Sequence, residues 1–173
     1  MTTITSPLTD ESIRKLVAGE LVLLNGIVYT GRDAAHKRMV ELLDAGIALP
    51  FDADSQTIYY TGPCPAPPGR VIGSAGPTTS LRMDAYSLPL IEAGLKVMIG
   101  KGSRNEAVVD AIKEYCGLYL SAIGGAGALM AQCIIEAVVV AFDDLGPEAV
   151  YKLKVREMPL VVAIDYKGNS VYN

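Results

Sequence analysis

Three short stretches concentrate the residues that can hold a small anion. Gly31-Arg32-Asp33-Ala34-Ala35-His36 and Gly76-Pro77-Thr78-Thr79-Ser80-Leu81-Arg82-Met83-Asp84 each carry an arginine in or beside a glycine-containing turn. Gly100-Lys101-Gly102 sets a lysine between two glycines. Arginine presents a planar fork to a carboxylate, lysine a point charge, and glycine lets backbone N–H groups approach a ligand. Together they describe the half of a site that holds an acidic substrate.

Each stretch also has a plainer reading. Arg32 opens an expected helix with His36 four residues later on the same face, at a helix end that favours anions. It equally suits a surface arginine paired with Asp33 or Glu41. His36 is the only histidine, which is poor evidence for a metal site; it is a supporting partner of Arg32 or of a ligand, or a structural residue. In the second stretch Gly73, Gly76 and Pro77 shape a turn, and the hydroxyls of Thr78, Thr79 and Ser80 precede Arg82. Hydroxyls, N–H groups and arginine can enclose a carboxylate or phosphate. The same residues can also be an ordinary helix cap. The order is not that of a P-loop. Lys101 follows an expected strand, Leu95 to Ile99, and in α/β sheets ligands bind at the C-terminal ends of strands. Gly124-Gly125-Ala126-Gly127 lacks the dinucleotide pattern, and close packing is the better reading. Cys64, Cys116 and Cys133 match no compact iron–sulfur spacing; Cys116 and Cys133 read as core residues, and Cys64 lies in a proline-rich loop.

The chain that must position these residues has 173 of them, one domain by length, with 50% hydrophobic residues to build a core. A net charge of -4 and the lack of a basic run argue against nucleic acid. Charged residues make up only 20%, which leaves surface for a partner to cover. No secretory signal pattern opens the sequence, and three irregularly spaced cysteines make no disulfide framework, so a reducing cytoplasmic setting is expected. The uncharged stretch Tyr115 to Ile135 is long enough to span a bilayer. Its glycines and Gln132 instead predict a buried strand, a turn and a buried helix.

Thr9 predicts an N-cap, with Asp10 and Glu11 in an acidic first turn leading into Ser12 to Ala18. Glu20 to Tyr29 reads as strand, Asn-Gly turn, strand. A helix is predicted over Arg32 to Asp44, with Ala35, Met39, Leu42 and Leu43 on one face. Ile47 to Asp52, Thr57 to Tyr60 and Val71-Ile72 read as extended, separated by a rigid loop at Pro63, Pro65, Pro67 and Pro68. Later helices are expected over Met83 to Ile91, Asn105 to Glu114 and Ala126 to Cys133. Later strands are expected at Leu95 to Ile99, Leu118 to Ile123, Ile134 to Phe142, Tyr151 to Val155 and Leu160 to Tyr166. The alternation predicts an α/β domain with a mixed sheet.

At these residues the sequence resembles a known family. Gly31-Arg32-Asp33-x-Ala35-His36, Tyr60-Thr61-Gly62-Pro63, Gly73-Ser74-Ala75-Gly76-Pro77-Thr78-Thr79-Ser80-x-Arg82-Met83-Asp84 and Gly100-Lys101-Gly102 resemble the β part of class I iron–sulfur fumarases and L-tartrate dehydratases, across essentially the whole chain. The resemblance implies a swivelling β/β/α domain over residues 1–173. It implies a free beta subunit, paired in a hetero-oligomer with an alpha subunit that carries a [4Fe-4S] cluster. The cysteines here take no part in that cluster, and no metal is expected on this chain. The implied reaction is reversible hydration of fumarate to L-malate, with tartrate dehydration as the alternative and a non-catalytic assembly module as a third reading. The resemblance makes Thr78 the catalytic base, and Arg32, Arg82 and Lys101 the residues that bind the C4 dicarboxylate. His36 and Thr79 are the neighbours expected to support them. Neither nucleic acid nor membrane is an expected partner.

Overall fold

The computed structural model describes residues 1–122 and 126–172. Its strands are β1 Thr2–Ser6, β2 Leu21–Thr30, β3 Thr57–Tyr59, β4 Val97–Gly100, β5 Leu118–Ser121, β6 Ile134–Ala141 and β7 Val150–Ile164. The helices are α1 Asp10–Arg14, α2 Asp33–Asp44, α3 Asp84–Glu92, α4 Glu106–Glu114 and α5 Gly127–Gln132, with 3-10 turns at Ser80–Met83 and Asp143–Glu148. The strands form one mixed sheet in the order β1-β2-β3-β4-β5-β7-β6. β1 to β5 run parallel to their neighbours, and β7 is antiparallel to β2, β5 and β6. Because β7 pairs with both β5 and β2, the sheet closes on itself through β2, β3, β4, β5 and β7. This mixed α/β architecture is that of the swivelling β/β/α domain.

Side chains alternate across the sheet, as a period of two requires. Tyr59, Val97, Ile99, Leu118 and Leu120 point into a core that Ile13 and Met130 from α1 and α5 complete. Ile58, Met98 and Tyr119 point the other way, onto Met39 of α2, Leu90 and Ile91 of α3, and Val108 and Ile112 of α4. The closed sheet therefore carries a helical layer on one face, and the two hydrophobic cores hold the strand ends in place.

Several expectations need correction. Asn25-Gly26 does not turn a hairpin, because β2 is one continuous strand. One edge of β2 is taken by β1 and then β3, and the other by β7, so partners on both sides hold it extended through Asn25-Gly26 without a turn. Gly26 sits instead at a register shift with φ +100, where the backbone of Ser6 leaves no room for a Cβ. Asn25 Oδ1 accepts from the amide of Glu157, 2.9 Å away, on the bulged partner strand. The two late strands are likewise one 15-residue strand, β7, running through Glu157 at φ +49 and Pro159. Thr2–Ser6 forms an edge strand not predicted from the sequence; threonine suits strands, and Ile4 and Ser6 face inward. Ile47 to Asp52 and Val71-Ile72 form no strand. Phe51 is held instead by stacking on Tyr29, ring centres 4.2 Å apart.

Other signals appear where expected. Thr9 caps α1 by accepting from the Ser12 amide, and Asn105 caps α4 by accepting from the Val108 amide. The uncharged Tyr115 to Ile135 stretch contains the strand β5 and the helix α5, but α5 is not the buried helix expected: only Gly127 and Met130 are buried, and Ala128, Leu129 and Gln132 are exposed. Among the described residues no helix is long and apolar enough to cross a membrane.

Candidate functional site

The loops singled out by residue type leave the sheet at one end. Gly31-Arg32 follows β2, Tyr60-Thr61-Gly62 follows β3, and Lys101-Gly102 follows β4, all at the C-terminal ends of neighbouring parallel strands. The Gly76–Arg82 segment lies across them. The Thr78 amide donates to the Tyr60 carbonyl at 2.7 Å, and Thr61 Oγ1 donates to the Gly76 carbonyl at 2.8 Å. Thr79 pairs with Lys101 in a parallel bridge, and the Ser80 amide donates to the Lys101 carbonyl at 2.9 Å. Gly100 permits this approach, since a Cβ there would run into Ser80 Oγ and lie 2.8 Å from the Tyr60 ring.

Arg32 and Arg82, 50 positions apart, meet at Asp33. Arg82 Nη2 lies 2.9 Å from Asp33 Oδ2, and Arg32 Nη2 lies 4.0 Å from the same oxygen. Arg32 packs its stem over Gly62, where an added Cβ would sit 2.9 Å from Arg32 Cδ. Arg82 is more open, with 55% of its side chain exposed against 30% for Arg32. Thr78 is half-buried and Thr79 exposed, and among the described residues the Thr78 hydroxyl has no hydrogen-bond partner.

His36 stands differently from its expected place on a face shared with the Arg32 side chain. Arg32 is the N-cap of α2 with extended backbone, φ -116 and ψ -164, so its side chain leaves the helix. His36 is fully buried, and its Nδ1 lies 2.8 Å from the Arg32 carbonyl, which can only accept; Nδ1 therefore carries the proton. Burial lowers its pKa to about 4, the Arg32 carbonyl and Asp33 opposing that shift and Arg104 adding to it. The ring packs edge-on against Tyr60, centres 5.3 Å apart. At neutral pH His36 is an uncharged spacer that fixes the Arg32 backbone.

The sequence reading missed a buried network beneath these loops. Arg104 Nε donates to Asp84 Oδ1 at 2.6 Å, and Arg104 Nη2 donates to Tyr60 OH and Ser87 Oγ at 3.1 and 3.0 Å. Tyr119 OH lies 2.7 Å from both Ser80 Oγ and the Gly102 carbonyl. Asp84 ends a motif already noted and Arg104 lies three residues past Lys101, but nothing local marks them as partners.

Gly127 packs against the site loop: its carbonyl accepts from the Ala75 amide at 3.1 Å, and a Cβ on it would lie 3.2 Å from the Gly76 nitrogen. That is close packing at Gly127, while Gly124 and Gly125 lie outside the described residues.

The three thiols do not come together. Cys64 is exposed, Cys116 buried and Cys133 half-buried, and among the described residues no three His, Cys, Asp or Glu side chains converge as a metal set. Burial raises the pKa of both Cys116 and Cys133, as suits thiols set among apolar neighbours.

A swivelling β/β/α domain with cationic loops gathered at its strand ends is the class that fold and loops define. The chain belongs to the Fumarase C-terminus family, whose model matches residues 2–173. It is 41% identical to "Fumarate hydratase class I, aerobic" of Escherichia coli K12 over 151 residues, 86% of this chain and 28% of that protein. It is 39% identical to "Fumarate hydratase 2" of Leishmania major over 165 residues, 94% of this chain and 29% of that protein. It is also 39% identical to "Putative L(+)-tartrate dehydratase subunit beta" of Methanocaldococcus jannaschii over 171 residues, 95% of this chain and 88% of that one. The chain thus spans less than a third of the two fumarate hydratases and most of the beta subunit.

Proposed function

We propose that this chain is the beta subunit of a fumarate hydratase, acting with a separate alpha subunit. It contributes the residues that bind the C4 dicarboxylate and move a proton during reversible hydration of fumarate to L-malate. The observation that carries this reading is the meeting of Arg32 and Arg82 at one carboxylate oxygen of Asp33. Two guanidinium groups already disposed about a carboxylate can take a substrate carboxylate in the same way. Thr78 precedes Arg82 by one helical turn's length of chain, and Lys101 is bridged to Thr79.

In the dehydration direction Thr78 Oγ1, as its alkoxide, takes the proton from C3 of malate. The C3–H electron pair becomes the C2=C3 bond as hydroxide leaves C2. The carboxylate beside C3 gains negative charge on the way, and Arg32, Arg82 and Lys101 stabilise that charge. A hydroxyl is a weak base, so the same cations must also favour its deprotonated form. The [4Fe-4S] cluster that the resemblance implies would sit on the alpha subunit and would supply Lewis acidity there; this chain's share is binding and proton transfer.

L-tartrate is a second substrate reading. It is favoured by one observation: the relative that the chain covers almost end to end bears a tartrate dehydratase beta-subunit name. Turnover of fumarate, L-malate and L-tartrate by the anaerobically purified complex tests both. Preferred turnover of L-tartrate replaces fumarate as the substrate, and turnover of none of the three overturns the hydro-lyase role.

A further inference from the structure

We infer that Tyr119, Asp84 and Arg104 are positioning residues that hold the Thr78–Arg82 loop and Lys101 in one fixed relation. The inference rests on the hydration reading of this site and deepens it. The Arg104 side chain is 0% exposed and that of Asp84 3%, a placement that costs free energy unless every polar group is satisfied. Here the pairing is thorough. Asp84 Oδ1 takes Arg104 Nε, and Oδ2 takes the Asn105 amide, each at 2.6 Å. The guanidinium also reaches Tyr60 OH and Ser87 Oγ, and it lies 5.2 and 4.9 Å from the ring centres of Tyr60 and Tyr119. Apolar residues could fill such a space without burying charge; a directional network fixes angles that they cannot.

What the network joins gives it a role. Asp84 follows directly on the 3-10 turn that carries Arg82, and Arg104 lies three residues beyond Lys101. The ion pair therefore ties the far end of one site loop to the far end of the other. Tyr119, on β5, bridges the same two segments through Ser80 Oγ and the Gly102 carbonyl, and burial holds its phenol well above its ordinary pKa, so it stays protonated. The two ties flank the Thr79–Lys101 bridge. These side chains act through Thr78, Arg82 and Lys101.

Tyr119→Phe is the sharpest test, because it removes the bridging hydroxyl and keeps the ring against Arg104. In the complete complex kcat/KM on L-malate should fall roughly tenfold to 10²-fold, as a small misplacement of reacting groups costs. In the full chain, hydrogen exchange at the Ser80 amide should quicken roughly tenfold or more, while the His36 amide in α2 keeps its rate. Asp84→Asn should shift both readouts the same way, and Tyr119→Phe carries the test should that variant not fold. Lowered thermal stability with kcat/KM unchanged per folded molecule would show a structural role only and overturn the inference. Should the wild-type complex turn over no dicarboxylate, the hydration reading fails separately, and the Ser80 exchange rate alone decides: an unchanged rate overturns the positioning role, a quickened one upholds it.

Discussion

Lowering the pH from 7 to 5 should weaken this fold through His36. The imidazole is buried and neutral, with its pKa lowered from 6.5 to about 4, chiefly by loss of solvation. Below pH 6.5 the unfolded chain therefore binds a proton that the folded chain refuses. Stability rises with pH wherever the unfolded state binds more protons, so the His36 contribution is complete above 6.5 and is lost as the pH falls toward 4. Integrating between pH 7 and 5 with those two values gives about 2 kcal/mol lost, and the full interval gives about 3 kcal/mol. Asp165, whose carboxylate accepts from the Ala18, Lys167 and Asn169 amides, has a lowered pKa, so its own loss falls below 3.8, outside this window. Urea unfolding of the full chain at pH 7, 6 and 5, for wild type and His36→Gln, isolates the effect. With an m-value of about 2 kcal/mol/M, the wild-type midpoint should drop by roughly 1 M more than that of the variant over this range. Equal pH dependence in the two chains would refute the reasoning and mean that the buried imidazole is charged or hydrated.

Arg82→Ala and Arg32→Ala should each lower kcat/KM of the complex by roughly 10²-fold or more, the usual cost of losing a charge-assisted contact to a carboxylate gaining charge; steady-state kinetics on L-malate reads this. His36→Gln should cost less than either, since its ring touches the Arg32 backbone and carries no charge at pH 7. Gly100→Ala should destabilise the chain by about 1–3 kcal/mol, because the new methyl meets Ser80 and Tyr60 where the two site loops press together. A thermal melt of that variant indistinguishable from wild type would show that the junction has slack.

The parts of the fold that were legible are those that local chemistry dictates. Thr9 marked a helix start because a capping oxygen needs only an amide two or three residues on. β4 and β5 were legible as short apolar runs bounded by turns. Asn25-Gly26 misled because a glycine with positive φ serves a bulge as well as a hairpin, and only the partner strands, β1 and β7, decide which. β1 was invisible because its pattern of threonines becomes a strand only beside β2. The site divides similarly. Arginine and lysine in glycine turns drew attention to the loops that the structure gathers at the strand ends. The Asp33 contact with Arg82 and the Arg104–Asp84 pair lie outside any sequence window, since tertiary folding alone brings residues 20 or 49 positions apart into contact.

The central claim is that this chain carries the proton-transferring residue of a dicarboxylate hydro-lyase. The measurement that tests it most directly is kcat and KM for L-malate and fumarate of the anaerobic complex assembled with wild-type or Thr78→Ala beta subunit. Loss of the base should fall mainly on kcat, by roughly 10²-fold or more, with KM little changed and the complex intact by size. Wild-type kcat in the Thr78→Ala complex would contradict the account and leave this chain as an assembly module for its partner.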